Sequence, residues 1–231
     1  MQLRVLSWNI QAGGGSRLTG IVKAIRDSKA AIVVLSEFRN NEAGMTIRGK
    51  LLKLGYRYQA VTHAEPNANS VIIVSTLPFD SQLHPASDEE YSGNMVTAHF
   101  PAFSLIGVYL PHKKKHRLFE HITDIVADSD QPYIIAGDFN SGKNYIDQVG
   151  NSFHYTAQLA ALEREGVADA FRHVYADIKE YSWYSHQGNG FRYDHTYLTA
   201  SLLPAVKDCY YIHEWRTSKL SDHSAMMLVM G

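Results

Sequence analysis

Short, continuous runs of apolar residues alternate with helical patterns along this sequence of 231 residues. Residues 31–35 (AIVVL) and 133–136 (YIIA) are such runs, and runs of this kind are typical of strands buried on both faces of a sheet. Between the runs, apolar residues recur at helical spacing, as at Leu18, Ile21 and Ile25, and this spacing predicts amphipathic helices. The alternation predicts an α/β domain whose mixed sheets are sandwiched between helices.

The same criteria predict the other elements of this layout. The further predicted strands cover residues 3–8, 70–75, 95–100, 103–109, 196–198 and 225–229, with a tight hairpin turn at Pro101-Ala102. The further predicted helices contain residues 51–54, 118–126 and 159–162, and Gly55 and Gly166 end the first and the last of them. No linker or short repeat interrupts this order, so residues 1–231 are predicted to form one domain.

Composition limits the classes of protein that the chain can belong to. The single cysteine, Cys209, cannot form an internal disulfide, so nothing indicates an oxidising compartment. The N-terminal run is too short and too polar for a signal peptide, and no segment approaches membrane-spanning length. We therefore expect a soluble, cytoplasmic, monomeric protein without a membrane association.

The charge of the chain gives no general attraction to nucleic acid, because the net charge is −1 and the pI is near 6.9. An enzyme acting on nucleic acid would have to concentrate its positive charge locally. One dense basic run exists, at residues 112–117 (HKKKHR). For a charge run alone, a solvated loop and helix start is the simpler interpretation.

Polar residues with chemical potential lie at or beside the ends of the apolar runs: Asn9, Glu37, Tyr109, Asp138, Asn140, Asp194, Asp222 and His223. Ligands of α/β sheets collect beyond strand ends, so these positions are where a site is expected. Carboxylates and amides are hard oxygen ligands that suit Mg²⁺ or Mn²⁺, whereas the sequence has no zinc-ligand spacing, P-loop or G-x-S-x-G elbow. Each residue alone could be a helix cap, a turn residue or half of a surface ion pair, but their joint appearance favours one site.

The motifs that contain these residues resemble a known family. They are Ser7-Trp8-Asn9-Ile10, Leu35-Ser36-Glu37, the stretch 70–75, Gly107-Val108-Tyr109-Leu110-Pro111, Gly137-Asp138-Phe139-Asn140, Phe191-Arg192-Tyr193-Asp194-His195 and Ser221-Asp222-His223-Ser224. Together they resemble the exonuclease III-like (AP endonuclease) branch of the endonuclease/exonuclease/phosphatase superfamily, over essentially the whole chain. The resemblance implies a DNase I-like fold, a four-layer α/β sandwich of two mixed β-sheets flanked by helices, with the site at one end.

The resemblance also implies a role for each residue of the site. Glu37 would be the principal carboxylate that binds Mg²⁺ or Mn²⁺, with Asn9, Asp222 and Gln11 in or near the metal shell. Asp138 would activate the attacking water, and Asn140 would hold the phosphate or the base. His223, oriented by Asp194, would contact the phosphate, as would Tyr109. A divalent cation and a protonated histidine would neutralise the negative charge that develops on the phosphate.

Three features favour DNA as the substrate. Tyr109-Leu110-Pro111 is similar to the abasic-site branch, whereas the lipid and RNA branches have a Thr-His pair there. Residues 137–147 resemble that branch to their Ile-Asp ending. Trp183, Phe191 and Tyr193 align with its hydrophobic pocket, which would accept a flipped-out baseless sugar, although core packing explains such aromatics as well.

The basic run would then contact the DNA backbone. Lys113, Lys114 and Lys115 are predicted to bind phosphates, with His112 beside them. The chain departs from the branch in three places, since His112 replaces an asparagine, His195 replaces a tyrosine and Gln11 replaces a shorter polar or acidic residue.

The resulting hypothesis is a Mg²⁺- or Mn²⁺-dependent phosphodiesterase, acting as a DNA endonuclease or 3′-exonuclease in DNA repair. One alternative is a phosphodiesterase or phosphatase that acts on a small or lipid-derived ester with the same residues. Another is a non-catalytic nucleic-acid-binding module, but such a module has no use for a water-activating carboxylate.

Overall fold

A computed structural model describes residues 2–84 and 92–231 of the chain. The described strands are, in chain order, β1 Leu3–Asn9, β2 Ile32–Phe38, β3 Tyr58–Val61, β4 Ser70–Ser75, β5 Asp80–Leu83, β6 Met95–His99, β7 Ser104–Tyr109, β8 Tyr133–Asp138, β9 Val167–Asp169, β10 Trp183–Tyr184, β11 Gly190–Phe191, β12 Asp194–Thr199, β13 Val206–Ile212 and β14 Ala225–Met230. The predicted strands and the Pro101-Ala102 turn are confirmed, because each predicted run lies in one of these strands or differs from it by a few residues at its ends.

The described helices are α1 Leu18–Ser28, α2 Glu42–Lys53, α3 His116–Ala127, α4 Thr156–Arg164, α5 Ala170–Val174 and α6 Glu214–Thr217. Short 3₁₀ turns cover Gly15–Arg17 and Ala200–Ala205. Gly55 and Gly166 follow the ends of α2 and α4 with φ of 99° and 82°, values that glycine adopts without steric cost. In the part of the chain that the structure describes, no helix combines the length and the apolar character needed to cross a membrane.

Two mixed six-stranded sheets carry the fold. The first sheet has the order β13-β14-β1-β2-β4-β3, and the second has the order β5-β6-β7-β8-β12-β9. Each sheet contains one parallel pair, β1 with β2 in the first and β7 with β8 in the second. A helix joins the strands of each parallel pair, α1 in the first sheet and α3 in the second, as a parallel connection requires.

Three apolar cores separate four layers. One core lies between the two sheets and contains Val34, Ile73 and Leu105, all fully buried. A second lies between the first sheet and α1 and α2, and a third between the second sheet and α3 and α4. The sheets approach closely at Gly107, where an added Cβ would lie 3.0 Å from Val34 Cγ1. The expected four-layer α/β sandwich of two mixed sheets is therefore confirmed.

The strand directions bring the predicted polar residues to one end of the sandwich. Asn9 and Glu37 lie at the carboxyl ends of the parallel strands β1 and β2, and Tyr109 and Asp138 end β7 and β8. β12 runs antiparallel to β8, and its first residue, Asp194, pairs with Asp138. Asp222 and His223 lie three and two residues before the first residue of β14, which is antiparallel to β1.

Candidate active site

The two sheets meet at the site through a few buried hydrogen bonds. Asn9 Nδ2 donates to Glu37 Oε1 at 3.1 Å within the first sheet and to Asp138 Oδ2 at 2.8 Å in the second. Ser36 Oγ donates to the Val108 carbonyl at 3.1 Å and accepts from the Asp138 amide at 3.4 Å. The carboxylates of Glu37 and Asp138 therefore lie on either side of one amide group, at the junction of the sheets.

Glu37 is turned toward the site by an irregularity in β2. The pairing of β2 with β4 shifts register between Ser36 and Phe38, and Glu37 has a φ of 53°. Left-handed backbone at a non-glycine residue costs on the order of 1 kcal/mol or more and has to be held by its surroundings. The loop after β1 does so, because the Ala12 amide donates to Glu37 Oε2 at 2.8 Å and the Gly13 amide donates to the Glu37 carbonyl at 2.8 Å. The glycine-rich loop thus fixes a carboxylate and does not form a phosphate cradle.

Asp138 occupies a buried position that only a glycine before it permits. Gly137 has a φ of 154°, and a Cβ there would lie 1.9 Å from the Val108 carbonyl oxygen. The Asp138 carboxylate accepts hydrogen bonds from Asn9 Nδ2 and from the Asn140 amide, each at 2.8 Å. Burial raises the pKa of Asp138 to about 7; the charge of His223 opposes this shift, the Asp194 carboxylate adds to it, and the hydrogen bonds from Asn9 and Asn140 lower the pKa. A carboxyl group with this pKa can accept a proton at neutral pH.

His223 and Asp194 form a buried pair beside Asp138. His223 Nδ1 lies 2.7 Å from Asp194 Oδ2. Burial disfavours the imidazolium ion, but the charge and hydrogen bond of Asp194, together with the charges of Asp138 and Asp222, raise the pKa of His223 to about 10. The imidazole is therefore protonated at neutral pH and can stabilise negative charge.

The backbone around this pair is fixed by neighbouring side chains. Trp8 Nε1 donates to the His223 carbonyl at 3.1 Å, and Tyr211 Oη donates to the Asp194 carbonyl at 2.6 Å. Ser221 Oγ accepts from the His223 amide at 3.2 Å and donates to the Asn9 carbonyl at 2.6 Å. The sequence motifs indicate no role for Tyr211, because nothing in the sequence relates it to Asp194.

An acidic cluster that could hold a metal ion lies at this end of the sheets. Asp138, Asp194 and His223 each place one ligand atom within 4.8 Å of the others. Since His223 Nδ1 is engaged with Asp194 and the ring is protonated at neutral pH, that nitrogen is not a good metal ligand. The Glu37 carboxylate, half-buried at the rim, is the better candidate, and oxygen donors of this kind fit Mg²⁺ or Mn²⁺.

The other three predicted metal residues, Asn9, Asp222 and Gln11, differ in their contacts. Asn9 Oδ1 accepts from the Gln11 amide at 2.8 Å, so the amide oxygen is already engaged. Asp222 Oδ2 accepts from Trp183 Nε1 at 3.1 Å. Asp222 and Gln11 line one surface cleft.

Tyr109 and Asn140 approach the two carboxylates from the second sheet. Burial raises the pKa of Tyr109 to about 12, and the charges of Glu37 and Asp138 add to the shift, so its hydroxyl group stays protonated. Tyr109 Oη accepts from Asn69 Nδ2 at 3.3 Å. Asn140 Nδ2 donates to Asp138 Oδ2 at 3.2 Å, from a backbone with a φ of 44°. The Tyr109 hydroxyl group can therefore donate a hydrogen bond near the junction of the sheets, whereas Asn140 Nδ2 is engaged with Asp138 and with the Leu110 carbonyl at 2.9 Å.

The structure brings the three predicted pocket aromatics together beside His223. The Phe191 and Tyr193 rings are 5.4 Å apart and nearly parallel, and Trp183 lies 5.4 Å from Tyr193. The Tyr193 ring is 6.4 Å from that of His223. Phe153, which the motifs did not indicate, contacts both Phe191 and Tyr193 at 5.9 Å between ring centroids. These rings form an apolar wall next to the charged residues.

The basic run divides into two kinds of residue. His112, Lys113 and Lys114 are exposed, although the His112 ring packs edge-on against Tyr193 at 5.6 Å between ring centroids. Burial lowers the pKa of His112, and the charges of Lys115 and His223 lower it further. His112 therefore belongs to the rim of the aromatic wall.

The prediction that Lys115 contacts DNA is wrong, because its side chain is completely buried. Lys115 Nζ donates to the carbonyl oxygens of Phe139 and Asn140, each at 2.8 Å, and lies 4.7 Å from the centre of the Tyr155 ring. Burial lowers the pKa of Lys115 to about 7, although the Asp138 carboxylate opposes the shift. Lys115 thus holds the turn that follows Asp138, and a run of charges in sequence does not reveal this role.

A buried ionic network holds the strand that carries Asp194. Asp147 Oδ1 accepts from Arg192 Nε at 2.7 Å and from Arg172 at 2.6 Å, and Arg192 also contacts Asp169. His195 is buried as well, with Nε2 lying 2.8 Å from the Ser141 carbonyl oxygen. Asp147 and His195 therefore have structural contacts that join β12 to the loop after Asp138.

Comparison with known families gives a match over almost the whole chain. The sequence profile of the Endonuclease/Exonuclease/phosphatase family matches residues 6–223. An exodeoxyribonuclease of Bacillus subtilis (strain 168) is 21% identical over 243 residues, which cover 89% of this chain and 92% of the relative.

Solved structures share the fold. An AP endonuclease from Archaeoglobus fulgidus superposes with a TM-score of 0.84 at 20% sequence identity, over 99% of each chain. The 3′ phosphatase NExo from Neisseria, bound to a product DNA hairpin, superposes with a TM-score of 0.86 at 20% identity, again over 99% of each chain.

Proposed function

Because the chain belongs to the Endonuclease/Exonuclease/phosphatase family, we propose that it hydrolyses phosphodiester bonds of DNA with the help of Mg²⁺ or Mn²⁺. The observation that carries this proposal is the position of Asp138, a buried carboxyl group with a pKa of about 7 beside the protonated His223. A base and a cation side by side are what water attack on a phosphodiester needs.

In this mechanism Asp138 accepts the proton of the attacking water. Asn9 and Asn140 hold the Asp138 carboxylate by hydrogen bonds, so its orientation is set before substrate arrives. The His223 imidazolium and the Tyr109 hydroxyl group stabilise the charge that develops on the phosphate oxygens. No residue has to form a covalent intermediate, so we expect inversion at phosphorus.

Glu37 would hold the divalent cation, with Asn9, Asp222 and Gln11 in or near its shell. The donor set supports this assignment, because Glu37 accepts from Asn9 at the junction of the sheets and Arg17 interacts electrostatically with both Glu37 and Asp222. When bound, the cation supplies positive charge that lowers the barrier to attack on an anionic phosphate.

DNA repair is the proposed setting. The relatives named as an exodeoxyribonuclease and an AP endonuclease support a DNA substrate, as does the neighbour that was solved with a DNA hairpin. The aromatic wall of Trp183, Phe191 and Tyr193 supports recognition of a sugar that lacks its base. We further propose that the enzyme works in the cytoplasm, since its only cysteine, Cys209, is buried and unpaired.

A comparison of substrates tests this function. We expect faster incision of duplex DNA carrying a tetrahydrofuran abasic analogue than of the intact duplex, because no base has to be unstacked or fitted against the wall. Phe191→Ala should reduce this preference, whereas Phe79→Ala, a half-buried phenylalanine at the opposite end of the sheets, should not. Equal rates on the two duplexes would leave a general nuclease and remove the abasic-site assignment. Turnover of small bis-phosphodiesters without cleavage of either duplex would exclude DNA as the substrate.

The pH profile of kcat/KM should be bell-shaped. Asp138 has to be deprotonated, so the rate should fall as the pH drops below about 7, or at a lower pH when a bound cation lowers the Asp138 pKa. His223 has to be protonated, so the rate should fall again above about pH 10. Asp194→Asn removes the main attraction that raises the pKa of His223 and should move the alkaline limb to lower pH. The profile is measured as kcat/KM on the tetrahydrofuran duplex. If the alkaline limb of the Asp194→Asn profile stayed at the wild-type pH, the role of His223 would be contradicted.

A further inference from the structure

A cleft that the mechanism above leaves without a ligand opens beside the active site. It has a volume of about 360 Å³ and is lined by Gln11, Tyr184, Arg216, Lys219, Ser221 and Asp222. Asp222 and Gln11 also border the proposed cation site, so a molecule in the cleft would be next to the reacting phosphate. Arg216 and Lys219 have no part in the mechanism, yet they give this wall a positive charge.

Arg216 is held in a defined position. It lies in α6, its Nε donates to Ser224 Oγ at 3.0 Å, and its guanidinium group lies 4.5 Å from the centre of the Tyr184 ring. Among the described residues, the two terminal nitrogens of Arg216 have no hydrogen-bond acceptor. A guanidinium group that is fixed through Nε and ring stacking presents its remaining N–H groups at little entropic cost, and their fork geometry matches a phosphate.

A second arginine, Arg17, links the walls of the cleft by hydrogen bonds. Arg17 donates to the Leu220 carbonyl at 2.7 Å and to the Gln11 carbonyl at 2.6 Å. The segment with Lys219 is thereby tied to the loop after β1, and Lys219 itself is exposed. Among the described residues, two cations, Arg216 and Lys219, line the cleft, and Arg17 holds its walls together. Asp222, the one carboxylate among the described lining residues, is engaged by Trp183 and belongs to the proposed cation site.

We propose that this cleft binds a backbone phosphate of the DNA strand, flanking the scissile phosphate, through Arg216 and Lys219. The inference rests on the proposed function, because it takes DNA as the substrate. Lys113 and Lys114 follow β7 of the second sheet, whereas Arg216 and Lys219 lie between β13 and β14 of the first. A strand that crosses the site would thus meet positive charge on each side, and the chain needs such local charge because its net charge is −1.

Neutral phosphate substitutions test the contact. DNA duplexes that carry one methylphosphonate at successive positions around the cleaved bond are compared for the wild type and Arg216→Gln/Lys219→Gln. The wild type should lose affinity on the order of tenfold at one flanking position, the size of effect expected for a hydrogen bond to a charged group. The double variant should be weaker by a similar factor on unmodified DNA and insensitive to methylphosphonate at that position alone.

The salt dependence of DNA binding gives a second readout. Because the proposed subsite neutralises one phosphate, the double variant should lose about 0.9 from the magnitude of the slope of log K against log salt. Lys50→Gln/Lys53→Gln removes the same charge from exposed positions of the outer helix α2 and should leave the methylphosphonate pattern unchanged. If Arg216→Gln fails to fold, Lys219→Gln alone carries the test, because Lys219 is exposed.

The outcomes separate this inference from the proposed function. The phosphate subsite would be overturned if the wild type cleaves DNA and the double variant shows the same methylphosphonate pattern as the wild type. The nuclease function would then still stand. A wild type that neither binds nor cleaves DNA would overturn both. Loss of the sensitivity to methylphosphonate at one flanking position in the Arg216→Gln/Lys219→Gln variant supports the subsite.

Discussion

Replacing Asp138 with asparagine is expected to lower kcat on the best DNA substrate by roughly 10²–10⁴-fold, the range for loss of one general acid–base group. The amide has the shape of the carboxylate but cannot take the proton of the attacking water. The measurement is single-turnover cleavage, with thermal unfolding as the check that the fold is kept. Asp124→Asn is the matched control, since Asp124 is an exposed carboxylate of α3. Near-normal cleavage by Asp138→Asn would show that another group activates the water.

Replacing His223 with alanine is expected to reduce kcat by about 10²–10³-fold, because the transition state loses a charge that was fixed before reaction. This variant also leaves the Asp194 carboxylate buried without its partner, which can cost about 3–5 kcal/mol of unfolding free energy. Activity therefore has to be compared at a temperature where each variant is folded.

A double-mutant cycle separates chemistry from stability at this pair. Asp194→Asn/His223→Ala removes the unpaired charge and should recover part of the unfolding free energy, but it should recover no activity. Because Asp194 acts through His223 in this account, adding Asp194→Asn to His223→Ala should reduce kcat little further. A large additional loss would mean that Asp194 has a direct role of its own.

Strands in the centre of a sheet were predictable because burial on both faces imposes a continuous apolar run. β2, β4 and β8 have this pattern and were predicted within a few residues. β13 was missed, since this edge strand is half-exposed and contains Lys207 and Asp208. β5 was missed for the same reason, because all four of its residues are exposed. Short edge strands have no compositional signal that distinguishes them from loops.

The site was predictable to the extent that it depends on strand ends and motifs. The motifs place Asn9, Asp138 and His223 at strand ends, but Asn9 and Asp138 end strands of different sheets, so their contact depends on how the two sheets pack. The left-handed backbone of Glu37 could not be inferred, because it depends on contacts with a loop 25 residues away.

Lys115 shows the same limit for charged residues. A lysine within a basic run is usually solvated, and only the tertiary structure places its ammonium group under the turn that follows Asp138. Arg216 was missed for a related reason, since its neighbours in sequence contain no motif and its position depends on Ser224 and Tyr184.

Metal dependence of DNA cleavage tests the central claim most directly. Chelator-treated protein is mixed with a duplex that contains the tetrahydrofuran abasic analogue, and cleavage is followed as Mg²⁺ or Mn²⁺ is added back. We predict no cleavage without metal, saturable recovery with either ion, and a much weaker response in Glu37→Gln, because the amide is a poorer ligand than the carboxylate. Cleavage that persists in excess chelator, or that recovers equally well in Glu37→Gln, would contradict a metal-dependent phosphodiesterase built around Glu37, Asp138 and His223.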